Sequence, residues 1–153
     1  MKKWYIAVGV IILLIIALGY YAISPLFRNI KVDDALPPTN IGQESESSPT
    51  ATVTGTAGHP ASGTVRIIEA EGASYLRYEN FKTINGPDIY VYLAKDLDAK
   101  EFINIGKVKA TEGNINYEIP EGVNLDEYHY VLTWCKTFGV LFNSADLTGI
   151  ETE

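Results

Sequence analysis

The sequence predicts an all-β fold: an antiparallel β-sandwich or barrel of about seven to eight short strands, preceded by one transmembrane helix and a disordered stalk. Three observations carry this expectation. From Gly63 onward, short runs of β-branched and aromatic residues are separated by Gly, Pro and Asn turns. No segment in that region keeps the 3.6-residue apolar period of a surface helix. Ahead of it, an uncharged apolar run gives way to a polar stretch rich in Pro, Ser and Thr.

The apolar run extends from Trp4 to Ile23 and follows Met1-Lys2-Lys3. About 20 residues is the length a helix needs to cross a hydrocarbon core of roughly 30 Å. Trp4 stands at one end, and Tyr20 and Tyr21 at the other, where interfacial aromatics are expected. A cleaved signal peptide has a shorter apolar region ending in small residues, and Gly19-Tyr20-Tyr21-Ala22 is a poor cleavage site. The run therefore reads as an uncleaved signal anchor through the lipid bilayer. Residues 1–3 form a cytoplasmic tail, and the C-terminal domain lies outside the cytoplasm as part of a single-pass cell-membrane protein. Residues 24–62 contain several prolines and few large apolar side chains. Such a stretch cannot bury enough surface to offset the entropy of ordering it, so it reads as a flexible linker with a reach of roughly 30 Å. His59 falls in it and reads as a solvated loop histidine.

Residues 63–150 are the expected folded domain. Thr64–Glu69 gives a first strand and Ser74–Phe81 a second, with Leu76 and Tyr78 on one face and Tyr75 and Arg77 on the other. After the break at Asn85-Gly86-Pro87, Ile89, Val91 and Leu93 share a face, and Tyr90 and Tyr92 share the opposite one. Phe102–Val108 is a strand interrupted at Gly106, and Ile115–Ile119 is a short strand ended by Pro120. The stretch Tyr128–Phe142 reads as two buried strands around a turn or bulge at Lys136–Gly139. In it Val131, Thr133 and Cys135 face one way, and Tyr130, Leu132 and Trp134 the other.

The net charge is −7. Through Ser62, Lys2, Lys3, Arg28 and Lys31 cancel Asp33, Asp34, Glu44 and Glu46, so the acidic excess belongs to the domain. With no basic cluster, nucleic acid is not an expected partner, because phosphate binding needs grouped Lys and Arg. No Ser-His-Asp arrangement, nucleotide fingerprint or phosphate loop is present, which disfavours a stand-alone enzyme. Cys135 is the only cysteine. It has too few partners for a metal site: His129 is the one histidine of the domain and reads as a satisfied strand residue. Covalent haem needs a C-x-x-C-H motif, which is absent, so no cofactor is expected in this chain. A thiol reacts as the thiolate and needs exposure and positive neighbours, whereas most free cysteines are buried small hydrophobes. Both readings stay open for Cys135.

Several ordered blocks carry a family resemblance: Asn80-Phe81, Gly86–Leu93, Ile105–Lys109, Gly113–Pro120, Trp134–Val140 with Phe142, and Ala145-Asp146-Leu147. Together they resemble the DM-thirteen domain, the Skeletor-type module, over about Gly63 to Leu147. Gly139 stands where that family usually has Ser or Thr, and Ile115-Asn116 where it often has Gln. The resemblance implies an extracytoplasmic sandwich-like module with one strand cysteine. It also implies a redox or electron-transfer role beside membrane or exported redox proteins of the cytochrome b-type or DOMON-like kind, any haem or flavin residing on the partner. Two functions are therefore expected. In one, Cys135 is the redox thiol of an electron-transfer accessory. In the other, Cys135 is structural, and an aromatic face with Trp134, Tyr90, Tyr92 and Tyr130 binds a protein or glycan.

Overall fold

The computed structural model describes residues 2–24, 29–38 and 49–150. One helix, α1 (Lys2–Ile23), contains the apolar run, and Trp4–Ile23 is long and apolar enough to cross a membrane. None of that window is buried against the rest of the chain. A signal sequence near the N-terminus can also be long and apolar enough by that measure.

Ten strands follow: β1 (Lys31–Asp33), β2 (Ala51–Thr52), β3 (Thr54–Gly55), β4 (Ala61–Ala70), β5 (Ala73–Thr83), β6 (Ile89–Ala94), β7 (Phe102–Lys107), β8 (Glu112–Ile119), β9 (Tyr130–Cys135) and β10 (Val140–Asp146). They form two five-stranded sheets, ordered β1-β8-β5-β4-β2 and β3-β10-β9-β6-β7. Every pairing is antiparallel except β1 with β8. The expected sandwich is thus present, and the alternation read from the sequence sets its faces. Val65, Ile67, Leu76, Tyr78, Ile115 and Tyr117 of the first sheet meet Val91, Leu93, Val131 and Ala145 of the second in one core. The β4–β5 hairpin turns on Glu71 and Gly72, both with positive φ, between the paired Ala70 and Ala73. Two such residues are what a tight hairpin following the sheet's twist requires.

The stretch expected to be a flexible linker over 24–62 needs correction. It contains β1, β2, β3 and the start of β4, so the ordered domain does not begin at Gly63. Residues 25–28 and 39–48 of that stretch lie outside the described residues. Edge strands need little apolar surface of their own, because they complete hydrogen bonds that an existing sheet already offers. Ala51 and Val53 are buried, at 8% and 4% exposure, and so is Pro37 beyond β1. These short edge strands are also why ten strands appear where seven or eight were expected.

β1 is held more firmly than its three residues suggest. The Ile30 amide donates to Thr111 Oγ1 at 3.0 Å, and the Thr111 amide donates to the Ile30 carbonyl at 2.8 Å. Lys31 pairs with Glu112 at 2.7 Å, which holds the Glu112 carboxyl below its usual range. Beyond β1, Arg77 Nη1 donates to the Asp34 carbonyl at 3.1 Å and to Asn116 Oδ1 at 2.8 Å, while its Nε bonds Glu79 at 3.0 Å. Arg66 meets the same Glu79 oxygen at 2.7 Å. Both guanidinium groups are almost wholly buried, so the charges are paired rather than solvated, as burial demands. The segment after α1 is therefore fastened to the outer side of the first sheet.

Gly113 permits this arrangement. Its φ of +121° is closed to most side chains, and a Cβ there would run into the Val32 carbonyl. Gly113→Ala is expected to cost about 1–3 kcal/mol and to release β1 selectively. Amide exchange would then quicken at Asp34, Thr111 and Glu112 while the β4–β5 hairpin keeps its protection. Uniform exchange across both regions would contradict this account.

Candidate functional site

β9 separates the candidate residues onto two sides of the second sheet, because successive side chains point to opposite faces. Tyr130, Leu132 and Trp134 face outward, and Val131, Thr133 and Cys135 face the core. Antiparallel pairing then fixes their neighbours: Tyr90 lies opposite Trp134, Tyr92 opposite Leu132, and Ile89 opposite Cys135.

The outer side gathers all four aromatic candidates. Tyr90, Tyr130 and Trp134 pack partly buried against Tyr92, Ala94 and Leu132. Tyr92 stacks on Phe102 with ring centroids 4.1 Å apart and follows Tyr90 at 6.3 Å. The Lys136 ammonium sits 5.7 Å from the Tyr90 ring centre, a favourable cation–aromatic contact. Tyr92 is the one of the four that the packing closes off, at 2% exposure. Burial first, and then the neighbouring Tyr90, Asp88 and Cys135, push its hydroxyl pKa up. Tyr90, Tyr130 and Trp134 are left to present the face.

Cys135 lies on the other side, at 0% exposure. It forms a small cluster with Ile89 and Phe142, against which Ile84 and Val108 pack. Phe142 closes it from the end of the sandwich. The outer side of the Phe142 ring is covered in turn by His59, stacked at 4.1 Å and 25°. His59 is held by Thr56, whose Oγ1 lies 3.1 Å from His59 Nδ1 and donates to the Leu141 carbonyl at 2.8 Å. His59 is thus half-buried packing at the end of the domain, a correction to its reading as a solvated linker histidine. Lys136, next in sequence to the cysteine, points to the opposite face and is no partner for the thiol.

A cavity of about 240 Å³ opens at this end, lined by Ala22, His59, Pro87, Phe138, Val140 and Phe142. Phe142 belongs both to its lining and to the Cys135 cluster, so this ring connects the cavity wall to the packing around the thiol. Phe138 and Gly139 form the β9–β10 turn, where Gly139 has φ +61°, and Phe138 is 61% exposed. Deeper in the core, burial raises the Tyr78 hydroxyl pKa far above its ordinary value and pushes Tyr117 up to about 12. Both phenols belong to the main core cluster rather than to the Cys135 cluster. Among the described residues, no three His, Cys, Asp or Glu side chains converge on a metal-sized site.

Residues 53–147 match the family model described as electron transfer DM13. The chain belongs to that family. No curated protein and no solved structure is significantly similar to it. The DM13 domain thus begins at Val53, ten residues before the boundary expected from the sequence, and takes in β3 and His59. The residues that the sequence reading missed are His59, Phe138 and Phe142. His59 was hidden in a polar stretch, and the other two are aromatics whose partners are remote in sequence. An aromatic in the turn Lys136–Gly139, where polar residues are usual, was the one available signal.

The seal can be tested on its own. Phe142→Leu is expected to lower stability by about 1 kcal/mol, which by global unfolding alone would speed alkylation of Cys135 roughly fivefold. A larger acceleration, read by intact mass in the folded protein, is the expected outcome. An increase no greater than the stability loss would mean that Phe142 is not the barrier.

Proposed function

We propose that the chain is a membrane-anchored electron-transfer accessory, held by residues 4–23, with its DM13 domain outside the cytoplasm and Cys135 as its redox group. One observation carries the reading: the only thiol of an electron-transfer domain packs against an aromatic ring that also lines a cavity, one that the last turn of the apolar helix helps to line. The partner is a membrane or exported redox protein of the cytochrome b-type or DOMON-like class, and haem or flavin, where used, belongs to that partner. The reaction that fits the residues is thiol–disulfide exchange. Cys135 loses its proton, the thiolate attacks a disulfide, one new S–S bond forms, and the displaced thiolate takes up a proton. Because Cys135 is sealed at rest, the exchange requires local opening of the β9–β10 turn, a motion that needs far less than global unfolding.

The second reading rests on a different observation. Tyr90, Tyr130 and Trp134 form one partly exposed face with Lys136 at its edge, and aromatic residues of this kind dominate binding surfaces. In that case the chain is a binding module and Cys135 is core packing.

Oxidised glutathione separates the two. The full chain in lipid is expected to form a mixed disulfide at Cys135 at a rate independent of low denaturant concentration, as local opening requires. Cys135→Ala should keep the fold within about 1–2 kcal/mol and abolish the adduct. A thiol that exchanges only at the global unfolding rate would remove the redox reading. Partner capture that survives Cys135→Ala but is lost in Trp134→Ala would then establish the binding module.

A further inference from the structure

The strand topology gives the sandwich two unlike ends. β6 runs from Ile89 to Ala94, and β9 runs back from Tyr130 to Cys135, so Ile89, Cys135 and the turn Lys136–Gly139 share one end. The same end receives the chain from the helix, because Ile30 is bonded to Thr111, and Thr111 accepts from Thr83 at the close of β5. Only seven residues lead from Ile23 to Ile30, which limits the separation to about 25 Å even when fully extended. Whatever surface the helix emerges from, this end of the domain is the one held against it.

The two ends also differ in chemistry. The helix-side end exposes three large apolar residues, Ile30 at 43%, Phe138 at 61% and Val140 at 38%. Phe138 and Val140 line the same cavity as Ala22, in the last turn of α1. Among the described residues its charges include Lys31, Lys82, Lys107, Lys109 and Lys136 against Asp88 and Glu112. Those two carboxylates are already engaged, Glu112 by Lys31 and Asp88 by Lys107 at 3.8 Å. The far end also exposes two large apolar residues, Leu97 and Phe102, each at 44%, but it is strongly acidic: its turns carry Glu71, Asp96, Asp98, Glu121, Asp126 and Glu127, with Lys95 and Lys100 drawn into ion pairs there. The acidic excess of the chain thus faces away from the helix. Aromatic and aliphatic tips flanked by lysines suit the boundary between headgroups and acyl chains, where the ammonium groups meet phosphate.

We propose that the sandwich stands end-on on the lipid surface, with the Phe138 turn immersed at the headgroup boundary and the acidic end pointing into water. This rests on the anchored reading of Trp4–Ile23. It makes the bilayer the outer wall of the cavity in front of Phe142, so the thiol side of the domain faces lipid rather than bulk solvent.

The test uses the full chain in phosphatidylcholine–phosphatidylglycerol vesicles whose acyl chains carry bromine, a short-range quencher of indole fluorescence. Phe138→Trp is compared with Leu97→Trp, both in a Trp4→Phe background whose remaining emission is subtracted. Leu97 is 44% exposed beyond β6 at the far end, about 20 Å along the strands. The expected result is blue-shifted emission at position 138 that loses most of its intensity to bromine, with water-like, unquenched emission at position 97. Val140→Trp repeats the measurement in case Phe138→Trp disturbs the turn. Unquenched emission at 138 and 140 in chains that resist an alkaline wash of the vesicles overturns this inference alone. Equal quenching at 138 and 97 overturns the end-on orientation. Release of the whole chain by the wash overturns the anchor reading and this inference with it.

Discussion

The hydrogen bonds that join Ile30 and β1 to Thr111–Asn114 are the constraint on which the geometry of this protein depends. Without them the domain would hang from α1 on a polar tether and could present any side to a partner. With them, Ile30, seven residues beyond the end of the apolar helix, is fixed at a defined end of the sandwich. The Arg77 network extends the attachment. An arginine at 5% exposure that meets a carboxylate, an amide oxygen and backbone carbonyls cannot easily give up any of them, because each lost partner leaves buried charge uncompensated. The ion pairs and amide contacts on the outer side of the first sheet therefore act on the orientation of the second sheet, although they touch none of the candidate site residues.

The same period-two alternation that builds the core divides the candidate site. Cys135 and Trp134 are neighbours in sequence, yet one belongs to the Ile89–Phe142 cluster and the other to the outer aromatic face. A function using both would have to act through the sheet. The two readings of this protein are consequently tied to two different surfaces, the end with the Phe138 turn and the outer face with Tyr90, and a partner on one need not exclude a partner on the other.

Strand faces were legible because they follow from local patterning. The positions of Leu76 and Tyr78, of Ile89, Val91 and Leu93, and of Val131, Thr133 and Cys135 could all be assigned from alternation, and the core contains them. The apolar run was legible for a similar reason, since length and lack of charge are local properties. What could not be read was set by remote partners. β1, β2 and β3 are stabilised by the edges they join, and nothing in Lys31–Asp33 or Thr54-Gly55 signals a strand until β8 and β10 exist to pair with them. His59 belongs to the same class, for its place is defined by a ring more than eighty residues away. The burial of Cys135 was a choice between two sequence readings that only Phe142 could settle, and Phe142 reaches it through a register shift in β10 between Leu141 and Asn143.

That irregularity is what places Phe142 against the thiol. In a regular strand Phe142 would point away from Asn143, and only one of the two could lie inside. The bulge lets both be buried, Phe142 against Cys135 and Asn143 with its amide on Thr83 Oγ1 at 3.1 Å. Asn143 is fixed by that buried hydrogen bond, whereas Phe142 is fixed by packing, with His59 on its outer side and the cavity beside it. A ring held by packing next to open volume can swing without breaking a hydrogen bond of its side chain. If Cys135 is the redox group, Phe142 is the side chain that its uncovering must displace, on the side of the cavity that Ala22 helps to line rather than on the outer aromatic face.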